Sequence, residues 1–122
     1  MKFIAVKTHT IIGLLVGLAL MVAPWLFGFS ENDNATSAAI FVGVVVFLSE
    51  LITTSPYSLI KAVSMKMHVL LDMGVGLFLA LTPWLFNFMD NAQPNQWVPH
   101  VLVGLLIIGY AFATDTSQTD DA

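Results

Sequence analysis

Two acidic side chains lie inside apolar segments of this chain, where ionisable groups are rare and usually functional. Glu50 lies near the end of one such segment, and Asp72 lies about one helical turn into the next. His68 precedes Asp72 by four residues, so on a helix the two would share a face and could pair. Glu50, His68 and Asp72 are therefore candidates for binding a proton or a cation.

Three interpretations of these groups remain open. The two acids could hydrogen-bond to His68, Lys61 or Lys66 near the lipid headgroups and anchor the helix ends. They could form a proton or cation site that opens to the cytoplasm, or they could contact a partner protein. Glu50 and Asp72 lie close enough to the membrane surface to reach water at modest cost, and this favours the anchoring interpretation.

His9 adds a second histidine at a position equivalent to His68 in the sequence repeat described below. Two histidines on facing helices can hold a haem iron. Both lie close to a lysine at the edge of an apolar segment, where a porphyrin would be poorly buried. Haem binding through His9 and His68, or quinone binding, is thus an alternative only, and no cofactor is predicted.

The rest of the sequence excludes several kinds of chemistry. The chain has no cysteine, which excludes disulfides, thiolate metal sites and cysteine nucleophiles. Its ligand-type residues do not recur at a spacing typical of zinc or di-iron motifs, and no nucleophile, base and orienting group suggest themselves as a set. It has no basic cluster for nucleic acid. We therefore predict no enzyme activity and no metal site.

Composition places the chain in a membrane. Of its 122 residues, 57% are hydrophobic and only 10% are charged, whereas a soluble domain carries about 25% charged residues. Crossing a bilayer takes about 20 apolar residues, and helices satisfy their own backbone groups in lipid. Four transmembrane helices are predicted, at about residues 8–29, 35–54, 68–88 and 97–114.

A repeat organises these helices. The four residues Pro24-Trp25-Leu26-Phe27 recur as Pro83-Trp84-Leu85-Phe86, each at the end of a long apolar run. Flanking positions also match: His9 with His68, Gly43 with Gly104, and Thr53 with Thr114. We predict a four-helix bundle built from two tandem helical hairpins, residues 1–54 and 68–114, related by a two-fold pseudo-axis along the membrane normal.

The two motifs resemble those of the SPW repeat family, small integral membrane proteins named for a Ser-Pro-Trp motif in a two-helix repeat. Ala23-Pro24-Trp25 and Thr82-Pro83-Trp84 replace the serine in both copies, and the resemblance extends from about His9 to Thr114. It implies a four-helix integral membrane protein and brings no known catalytic residues.

The repeat motif, Pro24, Trp25, Phe27, Pro83, Trp84 and Phe86, has a physical interpretation. A proline removes one helical hydrogen bond, and we predict that each proline kinks a helix that continues to Phe29 or Phe88. The Thr82 hydroxyl could then bond the free carbonyl of Leu79. The tryptophans would lie at the outer headgroup level. As an alternative, the two kinks could flank a cavity on the pseudo-axis.

Small residues at helical spacing indicate where helices pack closely in lipid. They could serve the bundle itself, a homo-oligomer or another subunit. They are Gly13, Gly17, Ala39, Gly43, Gly76, Ala80 and Gly104.

Lysines predict the orientation. All four, Lys2, Lys7, Lys61 and Lys66, fall on one side of a four-span topology, and the positive-inside rule makes that side cytoplasmic. Both termini, including an acidic tail at residues 115–122, then lie inside. The linker at residues 55–67 is predicted to form a short amphipathic helix on the inner surface. We expect a multi-pass protein of a prokaryotic cytoplasmic (inner) membrane.

The leading functional hypothesis is a non-enzymatic structural or accessory subunit that packs against other membrane proteins or itself. A small proton or cation transporter or channel component, using Glu50, Asp72 and His68, is the alternative. A haem- or quinone-binding redox subunit is a further alternative.

Overall fold

A computed structural model describes residues 2–90 and 92–117 of the chain. Within these ranges it contains four α-helices: α1 (Val6–Leu26), α2 (Asp33–Leu51), α3 (Met65–Leu85) and α4 (Pro94–Phe112). Each is long and apolar enough to cross a membrane. The predicted four-helix membrane bundle is confirmed; Asp120 and Asp121 of the acidic tail lie outside the described residues.

The helices begin and end two or three residues before the predicted positions. Polar side chains at the helix starts explain part of this shift. Asn32 accepts a hydrogen bond from the Ala35 N–H at 3.1 Å, and Ser64 accepts one from the Met67 N–H at 3.2 Å. These N-caps satisfy backbone donors that the first helical turn leaves free, so each helix starts at its cap.

Glycines set the packing within each hairpin. Helix α1 packs mainly against α2, and α3 against α4. A Cβ atom added to Gly43 would lie 2.8 Å from the Gly17 carbonyl oxygen, and one added to Gly104 would lie 2.5 Å from that of Gly76. In each hairpin the two helices therefore cross at a pair of glycines, where their backbones are in contact, and the two glycine pairs occupy equivalent positions in the repeats.

The Pro-Trp motif ends each helix, so the predicted continuation to Phe29 and Phe88 is wrong. The Phe29 N–H donates to the Pro24 carbonyl at 2.7 Å, and the intervening Gly28 has a φ of 74°. In the second copy the Phe88 N–H donates to the Pro83 carbonyl at 3.0 Å. This six-residue hydrogen bond around a left-handed residue is the Schellman motif, which terminates helices.

The aromatic side chains of the Pro-Trp-Leu-Phe-x-Phe segments differ in their exposure. Phe29 and Phe88 are buried, whereas Trp25 and Trp84 are 64% and 54% exposed. Burial of Phe29 and Phe88 stabilises the turn that follows each helix, as an apolar contact commonly does in Schellman motifs. Pro-Trp-Leu-Phe-x-Phe is thus a helix-stop signal with an apolar anchor.

Between the two motifs lies an aromatic cluster of Phe29, Phe88 and His100. The ring of His100 lies 5.1 Å from that of Phe29 and 4.7 Å from that of Phe88, measured between centroids. His100 donates from Nε2 to the Ala35 carbonyl at 2.9 Å. The predicted hydrogen bond from the Thr82 hydroxyl to the Leu79 carbonyl is present at 2.7 Å.

Each repeat is also tied to the end of the other. The Asn34 amide donates to the Phe86 carbonyl at 2.8 Å, and the equivalent Asn95 amide donates to the Phe27 carbonyl at 2.9 Å. These side chains satisfy carbonyls that a helix C-terminus leaves free. The two hairpins are therefore linked at the end of the bundle opposite the lysines.

The predicted amphipathic helix in the linker is wrong, because residues 52–64 form no helix. The linker instead folds back onto the end of α2. The N–H groups of Leu59 and Ala62 donate to the carbonyls of Leu51 and Ile52 at 2.8 and 3.0 Å. A helical linker would have kept these donors for itself, so capping α2 is the competing interaction that prevailed.

The N-terminal segment does for α4 what the linker does for α2. Ile4 forms a parallel bridge with Thr114, and Val63 forms the equivalent bridge with Thr53. The Ile4 N–H donates to the Ala113 carbonyl at 3.0 Å. The segment that leads into each hairpin thus caps the second helix of the other hairpin. This end of the bundle carries the lysines and is called the lysine end below.

The middle of the bundle is apolar. Among the described residues, no buried polar or charged side chain falls within 11–26, 33–49, 73–81 or 101–109. The larger buried side chains of this layer pack in one cluster around Leu20, Val42, Val46, Leu79 and Ile107. The buried polar groups are therefore confined to the two ends.

The glycine crossing yields a first prediction. Gly104→Ala should lower the free energy of unfolding by about 1–3 kcal/mol, the usual cost of overpacking, because the new Cβ would meet the backbone of Gly76 and Ala80. Gly109→Ala on the same helix is the control, since nothing lies within 4 Å of its Cβ position. Unfolding in detergent measures both; equal effects would contradict the close crossing.

The helix-stop signal yields a second prediction. Gly28→Val should lower the free energy of unfolding by roughly 1–2 kcal/mol, because a β-branched residue is strained at positive φ. Asn87, at the equivalent position, has a φ of 56°, so Asn87→Gly should leave stability unchanged or raise it. A harmless Gly28→Val would show that the left-handed turn is not required.

Candidate functional site

The structure brings the four candidate polar residues together at the lysine end. His9 comes from α1, Glu50 from α2, and His68 and Asp72 from α3. None is more than 2% exposed. One potential ligand atom from each lies within 4.8 Å of those of the others. A set spread over three helices thus forms a single buried cluster, called the His-carboxylate cluster below.

Short contacts join the imidazoles to the carboxylates. His68 Nε2 lies 2.9 Å from Glu50 Oε2 and 3.1 Å from Asp72 Oδ2. His9 Nε2 lies 2.9 Å from Asp72 Oδ2 and 3.7 Å from Glu50 Oε2. Each histidine therefore presents the same ring nitrogen to both acids.

Two threonines fix which nitrogen that is. Thr114 donates its hydroxyl proton to the Tyr110 carbonyl at 2.6 Å, so towards His9 Nδ1, at 2.7 Å, it can only accept. Thr53 does the same between the Ser49 carbonyl and His68 Nδ1. Because a hydroxyl has one proton, Nδ1 of each histidine carries hydrogen. Nε2 is then the nitrogen left to face the acids.

The arrangement permits two kinds of chemistry. If Nε2 and the facing oxygen both lacked hydrogen, lone pairs would oppose each other at 2.9 Å. Either protons occupy these contacts, giving a buried ion-pair or hydrogen-bond network, or a cation lies among the four atoms. A buried cluster of this kind is stable only when its charges are compensated.

The two acids occupy exchanged places in the two repeats. Position 13 is equivalent to 72, and position 50 to 111. A Cβ on Gly13 would overlap the Glu50 carboxylate, while Asp72 is matched by the fully buried Ala111. One repeat thus supplies its acid from the second helix and the other from the first, and the position equivalent to each acid in the other repeat is a small residue, Gly13 or Ala111.

Two polar atoms at the cluster have no hydrogen-bond partner among the described residues. They are Glu50 Oε1 and the Tyr110 hydroxyl, both buried. The Tyr110 ring packs edge-on against that of His9, with 5.0 Å between centroids. Because buried polar atoms are usually satisfied, such an orphan calls for an explanation. The free oxygen of Glu50 belongs to the cluster itself.

The anchoring interpretation agrees with the structure in that both acids contact His68, but it does not agree for the lysines. The acids do not reach the lysines at the membrane surface: Lys61 Nζ donates to the Ser55 carbonyl at 2.6 Å, and Lys2 Nζ donates to the Phe112 carbonyl at 3.2 Å. His9 and His68 are fully buried within the protein. The N-terminal segment and the linker fold over the helix ends and close the cluster off.

Sequence reasoning missed the parts played by Thr53, Thr114 and Tyr110. A signal for the threonines was present, since they recur in both repeats, as His9 and His68 do. Their pairing across repeats could not be anticipated, because a repeat alignment matches equivalent positions and does not show which helices meet. Ligand spacing was equally uninformative, since only His68 and Asp72 are near neighbours in sequence.

The geometry does not favour haem. The rings of His9 and His68 are 5.2 Å apart between centroids and nearly perpendicular, at 82°. Glu50 and Asp72 fill the space where a porphyrin held between two Nε2 atoms would lie.

The exchange of acids between repeats gives a third prediction. Glu50→Ala removes a partner of His68 and should cost roughly 3–5 kcal/mol, as breaking a buried pair does. Gly13→Asp alone should also destabilise, by overlap with Glu50. The double variant recreates the arrangement of Asp72 and Ala111 and should recover much of the loss. Unfolding in detergent measures the cycle; strictly additive losses would contradict the exchange.

Comparison with known proteins agrees with the architecture. The SPW repeat domain matches residues 7–114, which include all four helices except the first residue of α1. Neither the comparison with curated proteins nor that with solved structures gave a match. Two hairpins, each with a Pro-Trp helix stop, lie within the matched region. The chain belongs to the SPW repeat family of membrane proteins.

Proposed function

We propose that this protein is a non-enzymatic membrane protein that holds a cation in a closed site at the cytoplasmic end of its bundle. The observation that carries the proposal is the His-carboxylate cluster, where two imidazole nitrogens face two carboxylates with full burial. The cytoplasmic assignment rests on the lysines, and the prokaryotic inner membrane remains part of the proposal.

Charge compensation supports a bound cation. Two carboxylates buried in a four-helix bundle are costly unless positive charge is close. Lys2 and Lys61 donate to backbone carbonyls and not to these acids, and Glu50 Oε1 has no partner among the described residues. A cation within the cluster would compensate negative charge on the acids and give this oxygen a partner.

The apolar middle of the bundle favours holding the ion over passing it across the membrane. Between the cluster and the opposite end, the described buried side chains are apolar. An ion crossing this layer would lose every polar ligand, at a cost of many kcal/mol. We therefore propose binding from one side, which differs from the transporter or channel alternative.

An accessory role is the second candidate, and the cluster gives it a specific form. The ligands come from three helices, and Thr114 links α4 to them. A bound cation would fix the two hairpins against each other and so set the shape of the surface that other membrane proteins, or a second copy, would meet. Co-purification of a larger complex after gentle detergent extraction would support this role.

The fourth prediction concerns cation binding in general. We expect at least one of Na⁺, K⁺, Mg²⁺, Ca²⁺, Mn²⁺, Co²⁺, Ni²⁺ and Zn²⁺ to stabilise the purified protein against thermal unfolding. At a hundredfold excess over the dissociation constant the gain is about 2.7 kcal/mol. The combination Glu50→Gln with Asp72→Asn should remove the response.

A matched control pairs Glu31→Gln with Asp90→Asn, since both of these acids are exposed. This variant should keep the wild-type response, because it removes the same charge away from the cluster. Protein that responds to no cation would refute the proposed function. A response shared by all three proteins would place the binding outside the cluster and refute it too.

A further inference from the structure

Resting on the proposed cation site, we propose that its occupant is one divalent first-row transition-metal ion such as Zn²⁺ or Co²⁺. The ligands are Nε2 of His9 and His68 and one oxygen each from Glu50 and Asp72. This assignment goes beyond cation binding, because it names the class of ion and gives each of the four side chains a ligand atom.

The nitrogen–oxygen distances are close to those of a four-coordinate metal site. Ligand bonds of about 2.0–2.1 Å place neighbouring ligand atoms of a tetrahedron about 3.3 Å apart. The four nitrogen–oxygen distances in the cluster are 2.9, 2.9, 3.1 and 3.7 Å. These four values lie on both sides of the tetrahedral edge, and all four ligand atoms lie within 4.8 Å of one another, so one ion can contact all four after small shifts of the side chains.

The ligand types select transition metals. Mg²⁺ and Ca²⁺ take oxygen ligands, whereas imidazole suits zinc and its neighbours. Two of the four ligand atoms here are imidazole nitrogens, and the chain has no cysteine to supply a thiolate. The cluster is thus a mixed nitrogen–oxygen site, unlike the oxygen cages of the alkaline-earth ions.

The threonines act as positioning residues for the ligands. A histidine that binds a metal through Nε2 usually donates its Nδ1–H to an oxygen, which fixes the ring and its tautomer. Thr114 and Thr53 accept this hydrogen from His9 and His68, both at 2.7 Å. Both imidazoles are therefore held with Nε2 aimed into the cluster, as metal binding requires.

The net charge of the cluster and the unpartnered oxygen of Glu50 also favour a divalent ion. Two carboxylates and one divalent ion sum to zero, which is the favourable balance for a buried site; a monovalent ion would leave one negative charge. Glu50 Oε1, buried and without a partner among the described residues, is the second oxygen of a ligand carboxylate. It gives the ion a fifth donor if coordination expands.

Cobalt titration tests this assignment. The full-length protein, purified in detergent, freed of its affinity tag and stripped with a chelator, is titrated with Co²⁺ while its visible absorption is recorded. We expect the intense bands of tetrahedral cobalt to saturate at one ion per chain. Zn²⁺ should displace the cobalt, and a large excess of Mg²⁺ or Ca²⁺ should not.

Histidine variants locate the site. His9→Gln and His68→Gln should each abolish the tetrahedral bands, whereas His100→Gln, a buried histidine at the opposite end, should keep them. Unchanged bands in His68→Gln would overturn the assignment. The threonine variants Thr53→Val and Thr114→Val retain all four ligands, so they keep the test decisive if a ligand variant fails to fold.

Each threonine variant should weaken cobalt affinity by about 10–100-fold, the usual effect of removing an outer-shell partner. Thr82→Val is the control, since the hydroxyl of this buried threonine bonds the Leu79 carbonyl and no other group among the described residues, and its affinity should be unchanged. Equal affinity in all three would count against the positioning role and the assignment.

The results separate this inference from the proposed function. Stabilisation by Mg²⁺ or Ca²⁺ without tetrahedral cobalt bands would refute the transition-metal assignment and leave the cation site standing. A protein indifferent to every cation would refute both and identify the cluster as an ion-pair network. Tetrahedral bands that depend on His9 and His68 support both.

Discussion

The structure depends on two hydrogen bonds that cross between the repeats, His9 to Thr114 and His68 to Thr53. Each threonine is anchored to its own helix through the carbonyl four residues earlier, so the imidazole it receives is held against rigid backbone. In a bundle surrounded by lipid, apolar contacts between helices gain little over contacts with lipid. Directional polar bonds at the helix ends, together with close glycine crossings, therefore decide how the two hairpins meet.

The same requirement explains why the polar cluster is closed. Buried carboxylates and imidazoles must find partners within the protein, and every opening to lipid would leave one unsatisfied. The N-terminal segment and the linker meet this need by bridging to Thr114 and Thr53, directly beside the histidines. Capping of the helix ends and burial of the cluster are thus one arrangement, which is why the linker is not a free amphipathic helix.

Much of the fold was predictable from the sequence, and much of the cluster was not. Apolar length fixed the four helices, and the Pro-Trp repeat fixed the two hairpins, because both signals are local. His68 and Asp72 could be placed on one face from their spacing alone. The approach of His9 and Glu50 depends on which helices meet across repeats, and Gly13 appeared to be a packing residue when it is the space that Glu50 fills. The Pro-Trp helices end at Leu26 and Leu85, earlier than bilayer thickness predicts, because the helix-stop chemistry of Phe-x-Phe prevails.

The crossed capping at both ends of the bundle has a consequence for the hairpin as a unit. Asn34 closes a helix of the other repeat, as Asn95 does in return, and each histidine relies on a threonine of the other repeat. A single hairpin is therefore an incomplete structure, with donors and acceptors that only a second hairpin can match. A protein with one such hairpin would have to form a symmetric dimer, in which both acids occupy the same position. When the two hairpins are joined in one chain, their sequences can differ. The first hairpin can then carry Gly13 and Glu50 where the second carries Asp72 and Ala111.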